Sequence, residues 1–412
     1  MTSTTRQICF INAAHSFTHY GLLVLATAVL AMVQEPGTSF GTDYGTILAL
    51  GTGMFVIYGL GALPMGWLAA RFGRKAMMSA FFLGSGAAMA AAGFASGPVG
   101  LAVALAVMGA FSAIYHPIGT AIISEAGGAR VGRAMGINGV FGNLGVALAP
   151  VLTAFIAAQL GWRWAFVLPG LACMLVGLAY LREPAYDAVK AGVQTRPFPA
   201  IPRAIVRRAV ISLMLIAIVS GLVFNAYTLL LPKLIEERLG GSPELLPVVG
   251  LLAFLVTLCG GVAQYTVGQM IDRMTLKTVF MPLAFVLVPG MLALSFLDGW
   301  LVLPVAGLMA AAIFGQVTVN ETITARYVAP ELRAKLYSVR FTVGFLGAAL
   351  AAPLVGFLHN LTGDMTAAMV VLALCCSVTL ICAIWFPNRP EELRPELWER
   401  TAAPRPVAAA AE

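Results

Sequence analysis

Apolar residues in this chain gather into runs of about twenty or more, separated by short polar segments. A bilayer core about 30 Å thick takes roughly 20 apolar residues per helix, so each run predicts a membrane-crossing helix. The spans fall near 8–33, 43–70, 76–95, 98–123, 132–158 and 163–181, and then near 208–231, 245–270, 277–297, 300–324, 336–358 and 365–386. Gly and Pro recur inside them, which lipid-embedded helices tolerate and use for close packing or bending. The first run, Ile8 to Val33, is too long for the apolar core of a cleaved leader and reads as a retained helix. The predicted class is therefore an all-α membrane protein of about twelve spans.

Composition sharpens this picture. Of 412 residues, 60% are hydrophobic and only 10% charged, against about 25% charged in soluble domains. No G-x-S-x-G elbow, phosphate-binding G-x-x-x-x-G-K-[ST] loop or dinucleotide fingerprint is present, so the sequence argues against an enzyme or a self-contained ATP-driven pump. The six cysteines lie in apolar runs without a CxxC pair and read as free, packed thiols.

The net charge of +7 forms no basic domain, which argues against a nucleic-acid partner. It sorts by side of the membrane instead. With a cytoplasmic N-terminus, only Arg163, Lys233 and Arg238 of the 25 Lys and Arg face the periplasm, leaving 22 inside. The reverse orientation inverts that ratio, so both termini are expected in the cytoplasm of a bacterial inner-membrane protein.

The hydrophilic stretch at 182–207 divides the chain into predicted six-helix bundles at 1–181 and 208–386, and the Pro/Ala-rich tail at 387–412 is expected to be disordered. The halves share features at one offset: Gly66, Arg71 and Lys75 recur 202 residues later as Gly268, Arg273 and Lys277. At the same offset the segment 142–148 (GNLGVAL) matches 344–350 (GFLGAAL) at five of seven positions. Duplicated halves suit a carrier in which one half rocks against the other around a central site.

The segment Gly66-Trp67-Leu68-Ala69-Ala70-Arg71-Phe72-Gly73-Arg74-Lys75 resembles the G-x-L-A-D-R-x-G-R-K marker of the major facilitator superfamily, with Ala70 at the aspartate position. The second half keeps an acid, as Gly268-Gln269-Met270-Ile271-Asp272-Arg273. A conformational latch at the cytoplasmic face is expected from Gly66, Arg71, Gly73, Arg74, Lys75, Gly268, Asp272 and Arg273, beside the alternative that the cations only anchor the helices. Two further stretches resemble the fosmidomycin-resistance group of exporters. They are Ala14-His15-Ser16-Phe17-Thr18-His19-Tyr20 and Gly109 to Pro117, which ends Tyr115-His116-Pro117. That resemblance implies a secondary transporter working by alternating access, with proton-coupled efflux of a small polar or anionic compound or drug. Proton-coupled uptake of an organic anion is the alternative.

Ionisable groups inside membrane helices are costly and therefore functional candidates. His15 and His19 lie on one face of the first helix, about 10–17 Å into the membrane at 1.5 Å per residue. In the resembled fold, helices 1, 4, 7 and 10 line the cavity. This places His15, His19 and His116 with Asn225, Tyr227, Gln316, Asn320 and Glu321, and Arg340 follows on helix 11. Histidine changes charge near neutral pH and suits proton coupling; His116 can alternatively satisfy a carbonyl freed by Pro117, and Glu321 and Arg340 can form a gate pair. The i,i+4 histidines also raise a metal ion, with His116 or a methionine as third ligand. The 18 methionines show no ligand spacing, however. The sequence reading assigns no metal and no cofactor; the partners expected are a small-molecule substrate, protons and lipid, for a monomeric chain.

Overall fold

The structure, a computed structural model, describes residues 3–35, 37, 39–127, 131–184, 201–240, 243–271, 273–328 and 330–393. Asp272, most of the central hydrophilic stretch and the end of the tail lie outside the described residues. Among the described residues all regular structure is helical, and twelve helices are long and apolar enough to cross a membrane. They are α1 (Thr5–Met32), α2 (Tyr44–Gly61), α3 (Arg74–Gly93), α4 (Pro98–Ile123), α5 (Ile137–Leu160) and α6 (Trp164–Leu181). The second six are α7 (Arg203–Arg238), α8 (Leu246–Ile271), α9 (Leu276–Phe296), α10 (Gly299–Thr324), α11 (Val339–Thr362) and α12 (Thr366–Trp385).

Order and number follow the hydropathy pattern, with two clear differences in length. The seventh span, expected over 208–231, runs as one helix from Arg203 to Arg238, continuing through charged residues at both ends. The expected second span, 43–70, ends at Gly61, and a separate short helix runs from Met65 to Phe72. Pro64 sits at the junction, where it cannot donate a helical hydrogen bond and its ring crowds the preceding turn. Gly73, with φ +82°, then makes the turn into α3, a conformation that only glycine adopts freely.

Shifting the first six spans by 202 residues lands the end of α5 on that of α11 (160 to 362), and it brings the start of α3 onto that of α9 (74 to 276). The internal match seen in two short segments therefore extends to the helix register.

The helices turn their apolar stripes outward. Leu168, Leu171, Leu175 and Leu178 of α6 are all exposed, as are Leu251, Leu255, Leu258 and Val262 of α8. These steps of three and four residues keep one face of each helix apolar, as a lipid-facing surface requires. Between helices, small residues replace bulk. A side chain at Gly86 of α3 would meet the Gly170 carbonyl of α6 at 2.7 Å, and one at Gly347 of α11 would meet the Ile218 carbonyl of α7 at 2.6 Å. Lipid tails are as apolar as leucine, so helices associate through such backbone proximity and through hydrogen bonds.

The first and last six helices meet along α2–α11 and α5–α8. At one end this seam is polar. Asn360 donates to Asp43 at 2.8 Å, and the Tyr44 ring lies 5.0 Å from the His359 ring. Burial disfavours charge on Asp43, but hydrogen bonds from Thr46 and Asn360 outweigh it and hold the carboxyl below its ordinary value. His359 also meets Glu237 at 3.0 Å. Arg163, Lys233 and Arg238, the three cations assigned to this face from the sequence, each have an acidic partner there. The pairs are Arg163–Glu35 at 2.8 Å, Lys233–Glu236 at 2.5 Å and Arg238–Asp298 at 3.1 Å.

The tightest point of the seam gives a test. A Cβ at Gly45 would overlap the Gly356 carbonyl, whereas one at Gly139 would meet nothing among the described residues. Gly139→Ala should gain up to about 1 kcal/mol of helix propensity. Gly45→Ala should instead lose about 1–3 kcal/mol to overpacking. Thermal unfolding of the two purified variants in detergent reads the difference; equal midpoints would refute the packing described here.

Candidate functional site

The site begins with the spacing of His15 and His19, one turn apart on α1. His15 Nδ1 lies 2.7 Å from the Asn138 carbonyl oxygen of α5. A carbonyl only accepts, so Nδ1 carries the proton and, in the neutral ring, Nε2 is left with its lone pair. His19 Nε2, 3.1 Å from His15 Nε2, then donates to it. Two glycines allow this arrangement. A Cβ at Gly142 would stand 2.5 Å from the His15 ring, and one at Gly145 would overlap the Ser16 carbonyl. Asn138 is fixed in turn by its side chain, which donates to Asn12 Oδ1 at 2.9 Å and accepts from the Tyr115 hydroxyl at 3.0 Å. This buried network ties together α1, α4 and α5.

His116 arrives through a break in α4. The helix stops at Ser112 and restarts at Tyr115, because Pro117 offers no N–H to the carbonyl four residues earlier. The His116 ring stands edge-on to His15 at 5.3 Å and to His19 at 5.7 Å, while Tyr115 stacks on His15 at 4.7 Å. Ring nitrogens of the three histidines all lie within 4.8 Å of one another. His15 is buried, and His19 and His116 keep part of their surface exposed.

The second half reaches this cluster through α11. Phe341 stacks on His116 at 5.9 Å and Phe345 lies 6.0 Å from it, with Tyr58 of α2 at 6.2 Å. The Arg340 guanidinium sits 5.1 Å from the Phe341 ring centroid and pairs with Glu321 of α10. One aromatic ring thus contacts an imidazole from the first six helices and a guanidinium from the last six. Asn138 and Arg340 are themselves related by the 202-residue offset, so equivalent positions hold the histidine anchor in one half and the cation in the other.

The other expected site residues make contacts of their own. Tyr227 is buried and donates to the Ala306 carbonyl at 2.6 Å, tying α7 to α10, and Asn225 bonds the Gly221 carbonyl of its own helix at 2.9 Å. Gln316 and Asn320 are buried on α10, where Gln316 Nε2 and Asn320 Oδ1 have no hydrogen-bond partner among the described residues. Of the expected latch, Gly66 and Arg71 are exposed, and Arg71 lies over Trp67 and Phe72 of its own short helix. Arg74 and Lys75 open α3 beyond the Gly73 turn. Gly268 lies near the end of α8, Arg273 is exposed just beyond it, and Asp272 lies outside the described residues. Sequence reasoning missed Phe341, Phe345 and the anchoring by Asn138 and Gly142. The 202-residue offset, applied to Arg340, points to Asn138.

Twelve apolar spans that enclose ionisable side chains define a membrane transport protein. The Major Facilitator Superfamily family model matches residues 8–316 and 239–411, and the chain belongs to that superfamily. Its members are transporters, and this chain is a multi-pass membrane protein of that kind. The Multidrug resistance protein B homologs of two Mycobacterium tuberculosis strains, CDC 1551 / Oshkosh and ATCC 25618 / H37Rv, are each 27% identical to it over 168 residues. That alignment spans 40% of this chain and 29% of each relative's length. Two solved structures share the fold, both of a bacterial homolog of the human lysosomal transporter Spinster. The inward-facing occupied form gives a TM-score of 0.71 at 14% identity, covering 93% of this chain and 96% of that one. The inward-facing unoccupied form gives 0.66 at 15% identity, covering 94% and 95%.

The Asn138 network predicts the cost of its own loss. Tyr115→Phe leaves the Asn138 acceptor buried without this donor and should lower stability by about 1–3 kcal/mol. A Tyr115→Phe protein whose unfolding midpoint in detergent matches wild type would show that this hydrogen bond does not hold the site together.

Proposed function

We infer that this chain is a secondary active exporter of a bacterial inner membrane. It works as a monomer with both termini in the cytoplasm, moving a small polar organic compound or drug outward in exchange for protons. The observation that carries this reading is the contact chain His116–Phe341–Arg340–Glu321, which joins ionisable groups of the two sets of six helices through a single ring. Such groups are costly in lipid, and a rocking carrier is where they serve a purpose at the boundary of its halves. The likeness of the Tyr115-His116-Pro117 region to the fosmidomycin-resistance exporters supports the outward direction, as do the multidrug-resistance relatives. The excess of Lys and Arg on one side supports the orientation, which places the polar Asp43–Asn360 seam at the periplasm and the Arg71 and Arg273 turns at the cytoplasmic latch.

Coupling is assigned to Glu321. Its carboxylate, partly exposed beside the buried Arg340, accepts either a proton or a donor group of the substrate. Mutual exclusion of proton and substrate at one group is what antiport requires. The same ion pair also favours a second reading. An anionic substrate that captures Arg340 releases Glu321 to take a proton, so substrate and proton then travel together as uptake.

Inverted membrane vesicles separate the two. An imposed proton gradient is challenged with phosphonates, carboxylates and common drugs. For antiport, at least one compound dissipates the gradient, and Glu321→Gln cuts the response at least tenfold at equal protein abundance. A Glu321→Gln protein with an undiminished response would overturn the coupling role. Proton entry into right-side-out vesicles that accompanies uptake of a carboxylate would establish the second reading.

A further inference from the structure

Beyond transport direction and coupling, we propose that His15, His19 and His116 form a binding site for a divalent transition-metal ion of the zinc type, with a fourth coordination position left open. Ring nitrogens from all three lie within 4.8 Å of one another. Two nitrogens bound to one tetrahedral zinc at 2.0–2.1 Å stand about 3.3 Å apart. The His15–His19 pair, at 3.1 Å, is already at that spacing. The third ring has to close by at most about 1.5 Å, taking that tetrahedral spacing as the target. His116 is placed for such a movement, in the first turn after the break in α4 and with part of its surface exposed.

The orientation of His15 carries the argument further than proximity does. Metal-binding histidines almost always donate the other ring N–H to a carbonyl or carboxylate, which fixes the tautomer and aims the lone pair. Here Nδ1 of His15 donates to the Asn138 carbonyl, so Nε2 presents its lone pair to the other two rings. The Asn12–Asn138–Tyr115 network and the side-chain-free surface of Gly142 hold that geometry. In the structure the His15 lone pair is engaged by His19, a hydrogen bond that an ion would replace.

The donor set also selects the ion. Three imidazoles and no oxygen ligand suit Zn²⁺, Co²⁺, Ni²⁺ or Cu²⁺, not Mg²⁺ or Ca²⁺. Three neutral ligands leave the charge of the ion uncompensated, so the open position should take an anionic donor. Gradient dissipation without added metal reads the transport proposal independently, so failure of one leaves the other standing.

The test uses tag-free, full-length protein in detergent, stripped with a chelator and titrated with Co²⁺ or Zn²⁺ alone. One ion per chain is expected, with a visible Co²⁺ spectrum of tetrahedral type that shifts on adding azide. His19→Gln and His116→Gln, checked for wild-type elution and unfolding midpoint, should each weaken binding at least tenfold. Gly142→Ala keeps all three ligands but crowds His15, and should weaken it by about 10–100-fold, the effect of disturbing an orienting partner. Folded wild type that takes up no ion, or uptake that persists in the His19→Gln/His116→Gln double variant, would overturn the site.

Discussion

The close approach of α1 and α5 at Gly142 and Gly145 is the constraint on which the polar interior depends. With any side chain at 145 the Ser16 backbone could not lie against α5, and with any at 142 the His15 ring would be displaced. Removing those atoms brings the Asn138 carbonyl within reach of His15, and the tautomer, the His19 hydrogen bond and the Tyr115 stack follow. The second half uses the same device. Gly344 and Gly347 of α11 approach Ala217 and Ile218 of α7, each contact displaced by 202 residues from Gly142–His15 and Gly145–Ser16. The duplicated segment is thus a helix-packing device, since lipid supplies no hydrophobic drive to bring two apolar helices together.

Charge is handled differently at the ends and in the middle. At the Asp43–Asn360 end, Arg163, Lys233 and Arg238 all meet carboxylates, and near water such pairs contribute little stability each. Their effect is to remove net positive charge from one face. In the interior, the ion pair Arg340–Glu321 lies where an unpartnered guanidinium would be costly, and Phe341 covers it with an aromatic face.

Much of this was legible in the sequence, for a physical reason: apolar length and glycine content are the terms that decide a membrane fold. Twelve spans and their order follow from them; the shorter second span traces to Pro64, and the seventh outruns its apolar stretch at both ends, to Arg203 and Arg238. The site was legible only as a set of chemical types. Ionisable residues in apolar runs pointed to His15, His19, His116, Glu321 and Arg340, because their presence in lipid needs an explanation. Tyr227 and Asn225 gave the same polar signal, yet their side chains bond nearby carbonyls. Nothing in their residue type separates a cavity group from a helix tie. Phe341 gave no signal because an aromatic residue in an apolar run is unremarkable until its neighbours across the seam are known.

Equivalent positions in the two halves have diverged in a way that explains how one architecture holds two chemistries. Position 138 is asparagine and its counterpart 340 is arginine; positions 15 and 19 are histidine and their counterparts 217 and 221 are alanine and glycine. In the first half the anchor lends its carbonyl to an imidazole, and the space beside it fills with three rings. In the second half the small residues let the backbones of α7 and α11 close together, and the long arginine side chain reaches Glu321 and Phe341 instead. A symmetric pair of sites would offer the same ligands to both sides of the boundary. The divergence places imidazoles on one side of the boundary and a charged donor–acceptor pair on the other, so the two halves present unlike chemistry to each other. That difference gives the boundary between the halves a direction that the repeated fold lacks.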